Sequence, residues 1–275
     1  MIHKLLILFT CFACPVSLFA QYYYKDIVTS KQVAADLSIL KEQKIRTVKI
    51  KSSENDGLPS EGFFGERKIS KDYSRIETMT RSYVTGPSLF TAHFKKELLY
   101  KTIDSSQIAV STSTYEYNDK NNVSKITSII KSNDDDFTNE IREEHIYSYD
   151  GNGALEKMQK VKNGKDTVVI LFSPDEKNNI AIEKDTKTGS KYFYYYDAKN
   201  RLTDVVHTND FKTKPLPDYM FEYNGAGLLS QMTNTEEGGN YYYIWKYMYD
   251  NGLRVREKCY SKEKRLMGTI EYEYK

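Results

Sequence analysis

Apolar and polar side chains alternate along much of this chain, and the alternation returns at a regular interval. In residues 192–206, Tyr192, Tyr194 and Tyr196 occupy every second position, and a polar turn separates them from a second apolar run. Side chains of a β-strand point alternately to its two faces, so this spacing predicts a strand with one aromatic face. The stretch therefore predicts a β-hairpin that carries a stripe of tyrosines on one side.

The same hairpin pattern recurs with a period of about 25 residues. Aligning the copies on the position before the turn gives seven anchors: Tyr117, Tyr149, Ser173, Tyr196, Tyr223, Tyr249 and Tyr274. Successive anchors are 32, 24, 23, 27, 26 and 25 residues apart, a length that accommodates two strands and two turns. We expect an all-β fold, a large antiparallel meander of repeated hairpins that is curled by its twist, with the aromatic stripe on the buried, concave side.

Turn chemistry follows most anchors. Asp or Asn stands directly after the anchor, as Asp197 does, and such a side chain bonds the backbone two residues further on. The return strand then begins with two aliphatic residues three positions apart, such as Leu202 and Val205. A spacing of three keeps both on one face only if a β-bulge intervenes.

The unit around Tyr196 carries a short signature: Tyr-Asp, two variable residues, Gly, Arg, Leu and a β-branched residue three positions later. It is matched by Tyr196, Asp197, Arg201, Leu202, Thr203 and Val205, with Asn200 where Gly is usual. Residues 110–275 thus resemble the YD-repeat proteins of the Rhs and teneurin type, although the other units lose the Arg. The resemblance implies a repeated β architecture displayed at a bacterial envelope more than it implies an activity.

Residues 1–20 have the composition of an export signal. Lys4 precedes an apolar run that is interrupted by Pro15, and a cleavage site is predicted after Ala20. The alternative of a transmembrane anchor is disfavoured, because the run is shorter than the roughly 20 residues of a spanning helix. Cys11 and Cys14 lie near its end as alternative lipidation sites. We expect export to the periplasm, the cell surface or the medium, with membrane association only through a lipid anchor or surface contact.

Residues 21–66 lack the repeat. Ser30 is a predicted N-cap, and Val33, Leu37 and Leu40 follow at helical spacing, so a helix is expected there, before a strand. We predict that residues 21–66 form a cap whose helix covers the open end of the sheet, and that residues 67–275 form the hairpin-repeat domain.

Composition excludes several classes of function. The 40 basic and 38 acidic side chains nearly cancel, so nucleic acid is not an expected partner. Removal of the leader leaves Cys259 as the one cysteine, which excludes an intrachain disulfide and is expected to be a buried, inert thiol. His93, His145 and His207 are widely scattered, so no metal site is predicted. The chain contains no cofactor-binding or catalytic motif, so neither a cofactor nor a catalytic residue is predicted.

Two candidate sites remain. Tyr195, Tyr241 and Tyr242 lie outside the main stripe, so they are candidate binding aromatics for a polysaccharide or protein ligand, although rings at such positions more often flank a core. The acidic stretch from Asn133 to Asn139 has oxygen ligands for calcium but lacks the spacing and the closing Glu of a calcium loop. A solvated hairpin extension is the favoured interpretation there.

Three classes of function stay open. The favoured hypothesis is an exported, non-catalytic repeat protein that binds or builds the cell envelope. The alternative is an outer-membrane β-barrel, which alternating strands suit but dense charges between the aromatics disfavour. A glycan-acting hydrolase, with carboxylates assembled across strands, is the third.

Overall fold

The computed structural model describes residues 21–134, 140–208, 216–236 and 241–275. The predicted leader, with Cys11 and Cys14, lies outside the described residues, as does the acidic stretch beyond Asp134. No helix of the described residues is long and apolar enough to cross a membrane.

One helical segment precedes a long series of strands. A π-helical stretch, Tyr23–Val28, continues directly into α1, Thr29–Glu42. The strands are β1 Thr47–Glu54, β2 Phe64–Ile69, β3 Arg75–Ser82, β4 Gly86–Lys95, β5 Leu98–Ser105, β6 Ala109–Tyr117, β7 Val123–Ser132, β8 Glu140–Tyr149, β9 Leu155–Lys162, β10 Asp166–Pro174, β11 Ile180–Asp185, β12 Lys191–Tyr196, β13 Leu202–Thr208, β14 Leu216–Tyr223, β15 Leu229–Thr235, β16 Tyr242–Asp250, β17 Leu253–Ser261 and β18 Leu266–Tyr274.

These 18 strands form one closed antiparallel barrel. Each strand pairs with its neighbours in sequence, and β1 pairs with both β2 and β18, as in the pairs Lys49↔Glu66 and Val48↔Tyr274. The expectation of an open, curled meander is therefore wrong. Pairing the first strand with the last removes the two free edges that an open sheet would expose.

The same closure overturns the family resemblance. A YD-repeat architecture would extend as an open shell of repeats, whereas this chain closes on itself after 18 strands. The signature around Tyr196 describes a local turn: the Asp197 Oδ1 accepts the N–H groups of Lys199, at 2.9 Å, and Arg201, at 3.0 Å. The same turn forms at Asp150, whose Oδ1 accepts the N–H groups of Asn152 and Ala154.

The period corresponds to one hairpin and its connection. The anchors Tyr117, Tyr149, Tyr196, Tyr223 and Tyr274 are the last residues of alternate strands. Just before the turn the register shifts, because Tyr195 pairs with Asp204 while Tyr196 pairs with Leu202. This is the bulge that the spacing of three requires, and it directs both Leu202 and Val205 into the barrel, where both are buried.

The N-terminal segment lies inside the barrel. Ile27 belongs to a buried cluster with the aromatic stripe of β8–β14, and Leu37 belongs to a second cluster with β1–β5 and β18. The helix does not cap a sheet edge as predicted, because β1 pairs with β18 and leaves no free edge to cover; it packs inside the barrel instead. Ser30 is not an N-cap either: the helix begins upstream, and the Ser30 hydroxyl donates to the Ile27 carbonyl at 3.1 Å.

Burial of the aromatic stripe is as expected at its centre. Tyr147, Tyr192 and Tyr194 are buried against the N-terminal segment. Cys259 is a free, buried thiol, as predicted, and burial raises its pKa to about 12. A thiol with a raised pKa carries little thiolate at neutral pH, so it is a poor nucleophile.

Candidate functional site: the plugged lumen

Residues 21–42, which we call the plug, run through the barrel and are fixed at their start by one carboxylate. Glu183 of β11 is 0 % exposed, and its two oxygens accept the backbone N–H groups of Tyr22, at 3.1 Å, and Tyr23, at 3.0 Å. The Tyr194 hydroxyl donates to the same carboxylate at 2.7 Å. The first N–H groups of a helix have no partner within the helix, so Glu183 supplies the acceptors that they lack.

Burial governs the protonation of this carboxylate. Removal from water raises the pKa of Glu183 to about 7, against the opposing effect of the hydrogen bonds from Tyr23, Tyr194 and Tyr22. Burial, reinforced by the Glu183 charge, raises the pKa of Tyr194 well above its ordinary value, so that hydroxyl remains a donor. The arrangement is a buried acid that holds three donors and titrates near neutral pH.

A second contact between plug and wall is centred on His145 of β8. The Asp26 carboxylate of the plug lies 2.5 Å from His145 Nδ1, and Glu143 Oε1 lies 2.8 Å from His145 Nε2. The Tyr147 hydroxyl donates to Asp26 at 2.5 Å. With a carboxylate on each nitrogen, the imidazole serves as a double donor, which requires its protonated form.

The two carboxylates also determine the charge of His145. Burial by itself would lower the pKa of His145, but Asp26 and Glu143 overcome that effect and raise it to about 9. Lys160 of β9 completes the group, with its Nζ 3.5 Å from Glu143 and 2.9 Å from the Tyr22 hydroxyl. Both imidazole nitrogens are engaged, so the cluster acts as an ionic lock between plug and wall and leaves no free nitrogen to act as a base.

The outer wall of the barrel is charged. Cross-strand pairs join Lys125 to Glu144 at 2.6 Å and Arg256 to Glu271 at 2.6 Å, and Lys51 pairs with Glu273. These residues alternate with inward-facing neighbours on β7, β8, β17, β18 and β1. The outer wall therefore carries charged pairs on these strands, among exposed apolar side chains such as Leu171 and Met248.

The predicted binding aromatics are exposed but do not meet. Tyr195 is 52 % exposed near the end of β12, whereas Tyr241 and Tyr242 are 56 % and 37 % exposed at the start of β16. Since β12 and β16 run in the same direction around the ring, these positions lie at opposite rims. The Lys262 Nζ lies 4.2 Å from the centroid of the Tyr241 ring.

Sequence reasoning missed the luminal polar residues. When the hairpins are aligned, Glu183, three positions after Ile180, corresponds to Val205, three positions after Leu202. The alignment therefore places a carboxylate at an inward position that is apolar in the other hairpin. A carboxylate at this inward position was the feature of the sequence that could have identified Glu183 as a luminal site residue. Nothing local marks Asp26 and His145 as partners, because they are 119 positions apart.

Comparisons with known proteins add a general likeness. No protein-family model and no curated protein matches the chain. A porin-like protein from Bacteroides uniformis is 11% identical with a TM-score of 0.39, over 84% of this chain and 98% of that one. A porin-like protein from Bacteroides vulgatus is 12% identical with a TM-score of 0.32, over 84% and 98%. The TcdB2-TccC3-TEV structure is 12% identical with a TM-score of 0.36, over 77% of this chain and 12% of that one. With TM-scores below 0.5, these likenesses carry no argument about function.

Proposed function

We propose that this chain is an exported, non-catalytic β-barrel of the cell envelope that works with its lumen filled and binds its partner at the rims or the outer wall. The observation that carries the proposal is the plug, whose apolar face lies in both core clusters and whose start is bonded to Glu183. The closed barrel fits the outer-membrane alternative better than it fits an open repeat surface. Whether water or lipid surrounds the barrel therefore decides between the two functions.

The outer wall favours water. Outward charges such as Lys125, Glu144 and Arg256 lie on several separate strands around the ring. A Lys or Arg on the lipid face of a barrel costs about 2–4 kcal/mol at the bilayer midplane. We therefore propose that the barrel stands in the periplasm or outside the cell, and the export pattern of residues 1–20 supports that placement.

An outer-membrane barrel is the second candidate. Its support is the closed ring of antiparallel strands with an even strand number, the architecture of bacterial outer-membrane barrels. The two candidates differ in whether the outer wall meets water or lipid.

Fractionation of cells that express the full chain separates them. We expect recovery in the soluble periplasmic or culture fraction, extraction without detergent, and the same gel migration with and without heating. Recovery in the outer membrane, with detergent-dependent extraction and heat-modifiable migration, would support the second candidate and refute the first.

A matched pair of substitutions tests the same point. Ile146 faces outward on β8 and Met158 faces inward on β9, where it is 0 % exposed. We expect Ile146→Lys to leave folding and fractionation unchanged and Met158→Lys to prevent folding. Loss of the folded protein in both variants would contradict a wall in water.

A further inference from the structure

Charges on the outer wall are paired in two different ways. On β1–β8, the Asp, Glu, Lys and Arg residues that stand directly opposite each other at outward positions of neighbouring strands have opposite signs: Lys49↔Glu66, Lys68↔Glu77, Glu116↔Lys125 and Lys131↔Glu140. On β11–β12 and β16–β17 the opposing residues are both basic, in the pairs Lys184↔Lys191 and Lys246↔Lys258. Like charges that face each other across a sheet destabilise it. The stability of the barrel therefore does not explain the two lysine pairs.

The four lysines of these pairs carry uncompensated positive charge. Three of them are exposed and Lys258 is half-buried, and no Asp or Glu of the described residues forms an ion pair with them. On β1–β8, by contrast, acids neutralise the lysines, as Glu140 does for Lys131 at 3.0 Å. The β11–β17 side of the wall is therefore complementary to a negatively charged partner.

Apolar side chains lie between the two lysine pairs. Side chains alternate along a strand, so Phe193 and Tyr195 face outward on either side of the buried Tyr194. The strand register extends this band into two rows, the first with Ile182, Phe193 and Val206 and the second with Tyr195, Met220 and Ile244. Lys191 precedes Phe193 by two positions and Lys246 follows Ile244 by two positions, so the lysine pairs border the rows on opposite sides. We call these two rows and their four lysines the basic face.

The combination of apolar rows and lysine borders favours one kind of partner. Apolar side chains flanked by lysines are typical of proteins that lie on a membrane surface, where the apolar groups enter the boundary between headgroups and acyl chains. Lysine is depleted at protein–protein interfaces, so an acidic protein fits this face less well. Tyr195 and Met220 are 52 % and 40 % exposed, so both are available for such a contact.

We propose that the basic face binds the surface of a membrane that contains anionic lipids. Tyr195 and Met220 enter the headgroup layer, and the lysine pairs on either side bind lipid phosphates. The inference rests on the proposed function for a wall that stands in water, and it names the partner of that wall. Salt screens charges of this kind, so the contact is reversible and the barrel remains extractable without detergent.

Cosedimentation with lipid vesicles tests the proposal. The purified protein is mixed with vesicles of phosphatidylcholine alone, or of phosphatidylcholine with one third phosphatidylglycerol, at low and at high salt. We expect binding to the anionic vesicles at low salt, release at high salt, and no binding to the zwitterionic vesicles. Absence of binding to the anionic vesicles at low salt would overturn the proposal, and an acidic protein would then be the partner that the lysines fit.

Matched double variants separate the lysine pairs from net charge. Lys184→Gln with Lys191→Gln should weaken binding at least tenfold, because each lysine near an anionic surface contributes about fivefold in affinity. Lys68→Gln with Lys131→Gln removes the same charge from β2 and β7 and should bind as the wild type does. Equal weakening by the two double variants would refute the basic face as the binding surface.

A second matched set tests the apolar rows. Tyr195→Ser with Met220→Ser should weaken binding at least fivefold, because these side chains enter the headgroup layer. Met79→Ser with Leu89→Ser replaces exposed apolar residues of β3 and β4 and should leave binding unchanged. Wild-type binding by the Tyr195 and Met220 variant would show adsorption by charge alone and would contradict the proposed contact.

Thermal unfolding separates binding from stability. Lys184→Gln with Lys191→Gln relieves the repulsion between the two lysines and should raise Tm by roughly 1–3 °C. A lower Tm would show that the lysines stabilise the barrel, and it would remove the reason for assigning them to a partner. Vesicle binding and cell fractionation are measured separately, so a failed vesicle test leaves the proposed location of the barrel standing.

Discussion

Replacement of Glu183 tests whether the plug is held by a buried acid that is protonated below neutral pH. The folded-state pKa of Glu183 is about 7, against 4.5 for an ordinary glutamate. Between those values the folded state binds more protons than the unfolded state, so the free energy of unfolding falls as pH rises. At about 1.4 kcal/mol per pKa unit, this group accounts for a loss of about 3 kcal/mol between pH 4.5 and pH 7.5.

Glu183→Gln removes that titration and keeps an acceptor for part of the Tyr22, Tyr23 and Tyr194 donors. We expect the stability of the wild type relative to Glu183→Gln to fall by about 3 kcal/mol over this pH range. Glu183→Leu leaves all three donors without this acceptor, at a cost of about 1–3 kcal/mol each, so it should be the less stable of the two variants.

Urea denaturation followed by the fluorescence of Trp245, the one tryptophan, measures these differences. Hydrogen exchange of the Tyr22 and Tyr23 amides should accelerate in both Glu183 variants, because these amides lose their acceptor. Glu116→Gln is the control, since Glu116 is an exposed residue of β6 whose replacement should change stability by less than about 0.5 kcal/mol. A wild-type-to-Gln difference that stays constant with pH would refute the raised pKa.

Three further substitutions have defined outcomes. His145→Gln should lower the free energy of unfolding by roughly 3 kcal/mol below pH 6.5 and by least above pH 9. Asp26 and Glu143 stabilise the imidazolium, and this stabilisation is lost as pH rises from 6.5 through the folded-state pKa of about 9. Urea midpoints measured from pH 5 to pH 9.5 check this, and a pH-independent cost would contradict it. Leu37→Ala, in the plug core, should destabilise by about 2–5 kcal/mol without changing the urea m-value, and a smaller loss would mean that the plug is loosely packed. Asp197→Ala removes two backbone hydrogen bonds and the ion pair with Arg201 at one turn, and it should cost about 1–2 kcal/mol in the same assay, with no effect at neighbouring turns.

The strands and turns of the individual hairpins could be predicted from the sequence. Alternating tyrosines identified the strands, and Asp197 and its counterparts identified the turns. The spacing of three between Leu202 and Val205 left the facing of the return strand open, and the register shows the bulge that puts both residues on one face. Each of these features is set by residues within about ten positions of one another. Period-two alternation and side-chain-to-backbone bonding are local, so they can be read without knowledge of the fold.

Only the tertiary structure decided that the sheet closes and what fills it. Closure depends on the pairing of β1 with β18, for example Val48 with Tyr274, and on a strand count that brings those edges together. The position of the plug depends on Glu183 meeting the amides of Tyr22 and Tyr23, more than 150 residues away in sequence. Those contacts form because a ring of 18 strands creates a lumen whose inward polar groups need partners, and that need arises only after the ring exists.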